Sequence, residues 1–88
     1  MVKGILKSGF EFEIDVESLD DMEFVEALAD AETNALAFPR VCKMMLGEEQ
    51  KKRLYDHLRD ENGRVPVQAV QEAIIEIMST SGDEAKNS

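Results

Sequence analysis

Residues 10–15 alternate strictly, Phe10-Glu11-Phe12-Glu13-Ile14-Asp15. One side of such a stretch is apolar and the other acidic, which is the pattern of a half-buried strand. Val2 to Lys7 supplies the opposing arm, with Ser8-Gly9 as a two-residue turn whose glycine suits positive φ. That turn pairs Ile5 with Phe12 and Lys7 with Phe10. It predicts a hairpin over residues 2–15 that buries Ile5, Phe10, Phe12 and Ile14 and leaves Leu6 on the other face, beside Glu11. A lone hairpin is marginal in water, so helices or a neighbouring subunit must cover its apolar face.

Beyond Asp15 the apolar period becomes helical. Ser18-x-x-Asp21 predicts a capped start for a helix near 18–31, with Ser18 as N-cap and Asp21 in place of the usual glutamate. Glu23, Glu26 and Asp30 form its wet stripe. Phe24, Leu28 and Ala31 fill one flank and Met22, Val25 and Ala29 the other, so this helix is expected to touch two neighbours, the sheet and another helix. Phe38, Val41, Cys42, Met45 and Leu46 recur at helical spacing and predict a second helix near 36–46, with Pro39 in its first turn. Met44 falls off that stripe, while Met22, Met45 and Met78 are read as core.

A third helix is predicted near 48–60. Glu48 and Glu49 favour its positive end, and Glu48–Lys52 and Glu49–Arg53 form i,i+4 pairs. Its apolar stripe is narrow: Leu54, Tyr55 and Leu58. Asn62 and Gly63 tolerate the left-handed backbone of a helix exit, and Pro66 fixes φ for the next start. In the fourth helix, near 66–78, Val67, Val70, Ala73, Ile74, Ile77 and Met78 share one side. Ile75 points towards the polar side. From Ser79 the stripe stops, and residues 79–88 read as a flexible tail. The expected architecture is therefore α+β: a small single domain over residues 1–78, an N-terminal β-hairpin and about four α-helices. Leu6, Met44 and Ile75 lie off the stripes their own elements bury, which makes them the candidate partner contacts.

Charge sharpens this picture. The 88 residues carry a net charge of −9, and residues 1–32 alone hold ten acids against two lysines. Nucleic-acid binders show the opposite sign, because phosphate contacts dominate their affinity. Two alternatives remain open from composition: an acidic inhibitor or DNA mimic, and a helix-turn-helix regulator. The second needs a basic helix, yet Lys51, Lys52 and Arg53 are surrounded by Glu48, Glu49, Asp56 and Asp60. The single cysteine, Cys42, excludes an intrachain disulfide and fits a reducing cytoplasm. No run approaches the ~20 apolar residues of a membrane span, and no signal peptide opens the chain.

Catalysis needs a nucleophile, a base and an orienting group. Cys42 and His57 fall in different helices, and no glycine-rich loop follows a strand. The expectation is no enzyme, no cofactor and no catalytic residue. Asp60-x-Asn62-Gly63-x-Val65 imitates the middle of a calcium loop. That loop would begin at Leu58 and end at Ala69, where calcium requires carboxylates, so no metal is expected. His57 is read as a surface helix residue.

Three stretches together carry a family likeness: KGILKSGFEFEID, ESLDDMEFVEALADAE and FPRVCKMMLGEEQKKRLYDHLRDENGRVPVQAV. The chain up to Met78 resembles the short tail assembly chaperones of siphophages and prophages of Gram-positive bacteria. The resemblance implies a protein that helps tape measure and tail tube subunits assemble in the bacterial cytoplasm and is absent from the finished virion. Homo-oligomers are compatible with it. It brings no motif from which binding residues can be carried over. It also implies a longer product made by ribosomal frameshifting near the end of the short frame. Ala85-Lys86-Asn87 permits the slippery codons GCA-AAA-AAC.

Overall fold

The computed structural model describes the backbone of residues 2–87 and the side chains of residues 2–80. Strands β1 (Val2–Ile5) and β2 (Glu11–Ile14) form an antiparallel hairpin. Four helices follow: α1 (Val16–Leu19), α2 (Met22–Thr33), α3 (Phe38–Leu58) and α4 (Val67–Asn87). A 3-10 turn, Ala35–Ala37, joins α2 to α3. The chain is a small α+β domain. Ile14, Val41, Cys42, Leu54, Ile74 and Ile77 are its most completely buried side chains.

The hairpin register differs from the expected one by one residue. Gly4 pairs with Phe12, Ile5 with Glu11 and Lys3 with Glu13. The loop is Lys7-Ser8-Gly9: the Leu6 N–H donates to the Phe10 carbonyl at 2.9 Å, and the Gly9 N–H donates to the Leu6 carbonyl at 2.8 Å. Gly9 has φ +93°, and no residue other than glycine has positive φ among the described residues. A two-residue turn of type I′ would force Ser8 to positive φ as well, whereas a three-residue loop needs it only at the glycine. Because side chains alternate, a slip of one residue exchanges the faces of a strand. Leu6 is buried (3% exposed) and Ile5 is exposed (66%), the reverse of the expectation. Leu6 is therefore a core residue and no partner contact. The slip also keeps Lys3 and Lys7 out of the core, where a charged amine is costly. Gly4 lies beneath the Phe12 ring, and a Cβ at Gly4 would stand 2.6 Å from it.

Two aspartates set the helix starts. The Asp15 carboxylate accepts from the Glu17 N–H at 3.0 Å, and the Asp21 carboxylate accepts from the Glu23 N–H at 2.8 Å. Ser18 consequently lies inside α1 and caps nothing, while Asp21 is itself the N-cap of α2. A carboxylate makes a stronger, charge-assisted cap than a hydroxyl. Within α2, Phe24, Ala27 and Ala31 are buried and Glu23, Glu26 and Asp30 are exposed as expected. The second flank is not covered. Met22 is 70% exposed, and Val25 and Ala29 also face solvent.

The expected second and third helices are two limbs of α3, broken at Gly47 (φ 81°, ψ 166°). Met44 is half-buried and packs against the core, so it too departs from the reading as a surface contact. Glu48 pairs with Lys43 at 3.4 Å and Lys51 at 3.7 Å rather than with Lys52. α3 ends at Leu58 with Arg59 in extended backbone, before the Asn62-Gly63 corner. Gly63 alone adopts positive φ there, so Asn62 does not supply a left-handed exit. The Asp60 carboxylate fixes this corner by accepting from the N–H groups of Asn62 (2.9 Å) and Arg64 (3.0 Å). Pro66 immediately precedes α4, and its carbonyl accepts from the Val70 N–H.

α4 buries Val70, Ala73, Ile74 and Ile77, with Met78 half-buried, while Val67 is exposed. The helix continues to Asn87, so the loss of the apolar stripe at Met78 is not a helix end. Residues 79–87, read as a flexible tail, are helical in backbone; extending an existing helix costs far less than starting one. Their side chains beyond Thr80, and Ser88, lie outside the described residues.

Two substitutions check the register. Leu6→Ala should cost about 2–4 kcal/mol in urea unfolding, as for a buried leucine, and Ile5→Ala should stay within about 0.5 kcal/mol. A larger loss at Ile5 than at Leu6 would restore the alternative register. Gly4→Ala should cost about 1–3 kcal/mol, because the buried Phe12 ring has little room to withdraw.

Candidate functional site

The most constructed polar arrangement is the seam between the hairpin and α3. The backbone of Glu13 points away from β1 and meets Gln50. The Glu13 N–H donates to Gln50 Oε1 at 2.8 Å, and Gln50 Nε2 donates to the Glu13 carbonyl at 2.7 Å and to the Leu46 carbonyl at 2.8 Å. Leu46 stands at the Gly47 break, so one side chain ties the broken helix to the free edge of β2. One turn on, the Arg53 guanidinium lies 5.8 Å from the Phe10 ring centre. One turn further, His57 Nε2 lies 3.0 Å from the Ser8 carbonyl, with its ring 5.6 Å from Phe10. At helical spacing, Gln50, Arg53 and His57 make one polar stripe against the hairpin. His57 is thus a surface residue with a structural partner, which its sequence position alone did not disclose.

At the hairpin loop, Glu76 of α4 accepts from the Lys7 N–H at 2.8 Å. An open groove of about 610 Å³ lies over the hairpin, bordered by Lys3, Ile5, Glu11, Glu13, Gln50 and Arg53. Its charges alternate in sign, and it contains no nucleophile–base pair. A smaller apolar hollow of about 170 Å³ lies between α3 and α4, lined by Phe38, Pro39, Tyr55, Val65, Val67 and Val70.

Cys42 is fully buried, and burial pushes its thiol above the ordinary 9.0. Burial likewise raises the Tyr55 phenol. Cys42 and His57 do not come together as a catalytic pair: His57 faces Ser8 and Phe10, and the Cys42 thiol is held neutral. The Asp60 carboxylate spends one oxygen on two backbone donors of its own turn. Among the described residues no group of three or more His, Cys, Asp or Glu could hold a metal ion.

The predicted contact residues separate in space. Ile75 is 62% exposed and lies on the far side of α4 from Val70, Ile74 and Ile77; Leu6 and Met44 belong to the core. Sequence patterning missed four other exposed apolar side chains: Ile5, Met22, Val25 and Leu36 (88% exposed), with Val67 as a fifth. For α2 the signal was present, since its apolar residues fill more of the helix than one neighbour can cover.

The geometry does not favour the two alternatives from composition. Lys3 stands across from Glu13, and Arg40 lies 3.9 Å from Glu23, so bases interrupt the acids of the N-terminal half. Between Val67 and Thr80, α4 carries Glu72 and Glu76 and no base, the wrong sign for a recognition helix. Among the described residues no helix is long and apolar enough to cross a membrane. The chain matches no family model, no curated protein and no solved structure.

The buried Cys42 thiol and the half-buried Tyr55 phenol give a pH prediction. Both are neutral in the fold, and their folded pKa values lie above the unfolded ones. Their contribution is therefore fully present below pH 9.0 and is lost as pH rises through the raised values. Urea midpoints should be level from neutral pH to about 9 and fall beyond it. Cys42→Val should flatten part of that fall; an unchanged slope would place the alkaline loss elsewhere.

Proposed function

We propose that this chain is a phage tail assembly chaperone of the kind its sequence resembles. It holds tape measure or tail tube subunits in the cytoplasm of a bacterial host and leaves before the virion is complete. The reading rests on the resemblance and on one structural observation. Among the described residues six large apolar side chains stay outside the core: Ile5, Met22, Val25, Leu36, Val67 and Ile75. They sit on three different elements, β1, α2 and α4, and on the turn between α2 and α3, within one small domain. A holding protein needs such adaptable apolar surface, and a net charge of −9 keeps it soluble while exposed. No catalytic role is proposed; at the seam Gln50 and His57 meet backbone and Arg53 lies against the Phe10 ring.

Within this reading Ile75 is the contact on α4, since it is remote from the stripe its helix buries. Co-production with the tape measure protein of the same phage should raise the soluble yield of that protein. Ile75→Glu should lower the yield while leaving the melting temperature of this chain within a few degrees. If neither the tape measure nor the tail tube protein gains solubility, the reading fails. If Ile75→Glu unfolds the domain, Ile75 is core and not a contact.

A further inference from the structure

α2 carries apolar residues on two opposite sides. Phe24, Ala27 and Ala31 are its buried residues. At about 100° per residue, Met22, Val25 and Ala29 fall on the side directly across from them. All three are exposed, Met22 at 70% and Val25 at 50%. They recur at i, i+3 and i+7, a stripe about two turns or ~10 Å long. A single exposed apolar residue is ordinary, but three in line on the side remote from the core form a continuous patch. Carboxylates border this stripe on both margins. Glu26 and Asp30 follow one margin at helical spacing, and Glu32 stands on the other. Asp21, the N-cap, adjoins the start of the stripe. α2 itself contains no base. Among the described residues, Glu23 is the one acid of α2 in an ion pair, with Arg40 at 3.9 Å, and it lies further round the helix towards the core. Glu26, Asp30 and Glu32 join no ion pair among the described residues.

We propose that this outer side of α2 docks a basic amphipathic helix of a partner protein, one whose apolar stripe is bordered by lysine or arginine. A helix suits the shape. The stripe is narrow and follows one helix side, and Ala29 leaves room for a second backbone to approach closely. Charge selects the partner. Carboxylates on both margins attract bases on both margins of the incoming helix and repel an acidic one. The same charges disfavour a second copy docked stripe to stripe, which would set Glu26 and Asp30 against themselves. The proposal stands apart from the tail-assembly reading. It requires only the chemistry of the incoming helix, whichever protein carries it, and it leaves Ile75 outside the contact.

The probe is a fluorescently labelled leucine–lysine peptide of about 18 residues, long enough to fold as a helix on binding. Its leucines line one helix side and its lysines border them. Anisotropy titration with the full chain should give saturable binding. The same peptide with glutamate for lysine should not bind, and a scrambled peptide of equal charge should bind at least about fivefold more weakly. Val25→Asn should raise the dissociation constant by about fivefold or more, with Met22→Gln as the second stripe variant if the first melts early. Glu26→Gln with Asp30→Asn should raise it similarly. Glu61→Gln with Glu72→Gln removes the same charge from other elements and should leave it within about twofold, as should Ile75→Glu. Absence of binding, equal binding of the scrambled peptide, or equal losses from the two charge pairs would overturn the proposal. So would sedimentation showing a peptide-free dimer that Val25→Asn dissociates, since a second copy would then occupy the stripe.

Discussion

The backbone N–H and carbonyl of Glu13 both end on the side-chain amide of Gln50. A two-stranded sheet has two free edges and one apolar face, and it is marginal in water without something to cover them. α3 meets the β2 edge and the loop with the Gln50, Arg53 and His57 stripe, and α4 holds the hairpin loop through Glu76 and the Lys7 N–H. Leu6, Phe10, Phe12 and Ile14 complete the arrangement by joining Leu54, Val41 and the α4 stripe in one core. The break at Gly47 belongs to the same design, because Gln50 also takes the Leu46 carbonyl at that break.

Much of this was legible before any coordinates. The α+β class, the split of the central helices at Gly47 and the buried faces of the second half follow from periodicity. The hairpin register did not. Periodicity places Phe10, Phe12 and Ile14 inside but does not fix the opposing strand. The missed signal was chemical. The expected register carries Lys3 and Lys7 to the buried face, whereas the observed one carries Val2, Gly4 and Leu6. The cap was misjudged similarly, since Asp15 and Asp21 outcompete Ser18 as acceptors. The Gln50 seam joins residues 37 positions apart, so no local pattern could announce it.

The candidate site was legible only in part. The exposure of Ile75 was legible because one wide stripe leaves a clear opposite side. Met22 and Val25 were assigned to a neighbour that does not come, because sequence shows that a flank is apolar but not what packs on it. The sheet lies against α3 and α4 instead of α2. The outcome is a domain that closes its core and still keeps Met22, Val25, Val67 and Ile75 of its helices outside it. The docked hairpin leaves the outer side of α2 and the outer side of α4 uncovered.

If docking on α3 is what keeps the hairpin folded, the hairpin has no stability of its own. Native-state hydrogen exchange in low denaturant reads this residue by residue. The amides of Phe12 and Glu13 should exchange with the same free energy and denaturant slope as those of Leu54 and Tyr55, through global unfolding alone. Hairpin amides that open separately, at markedly lower free energy while α3 stays protected, would show that the hairpin is an appendage and that α3 does not depend on it.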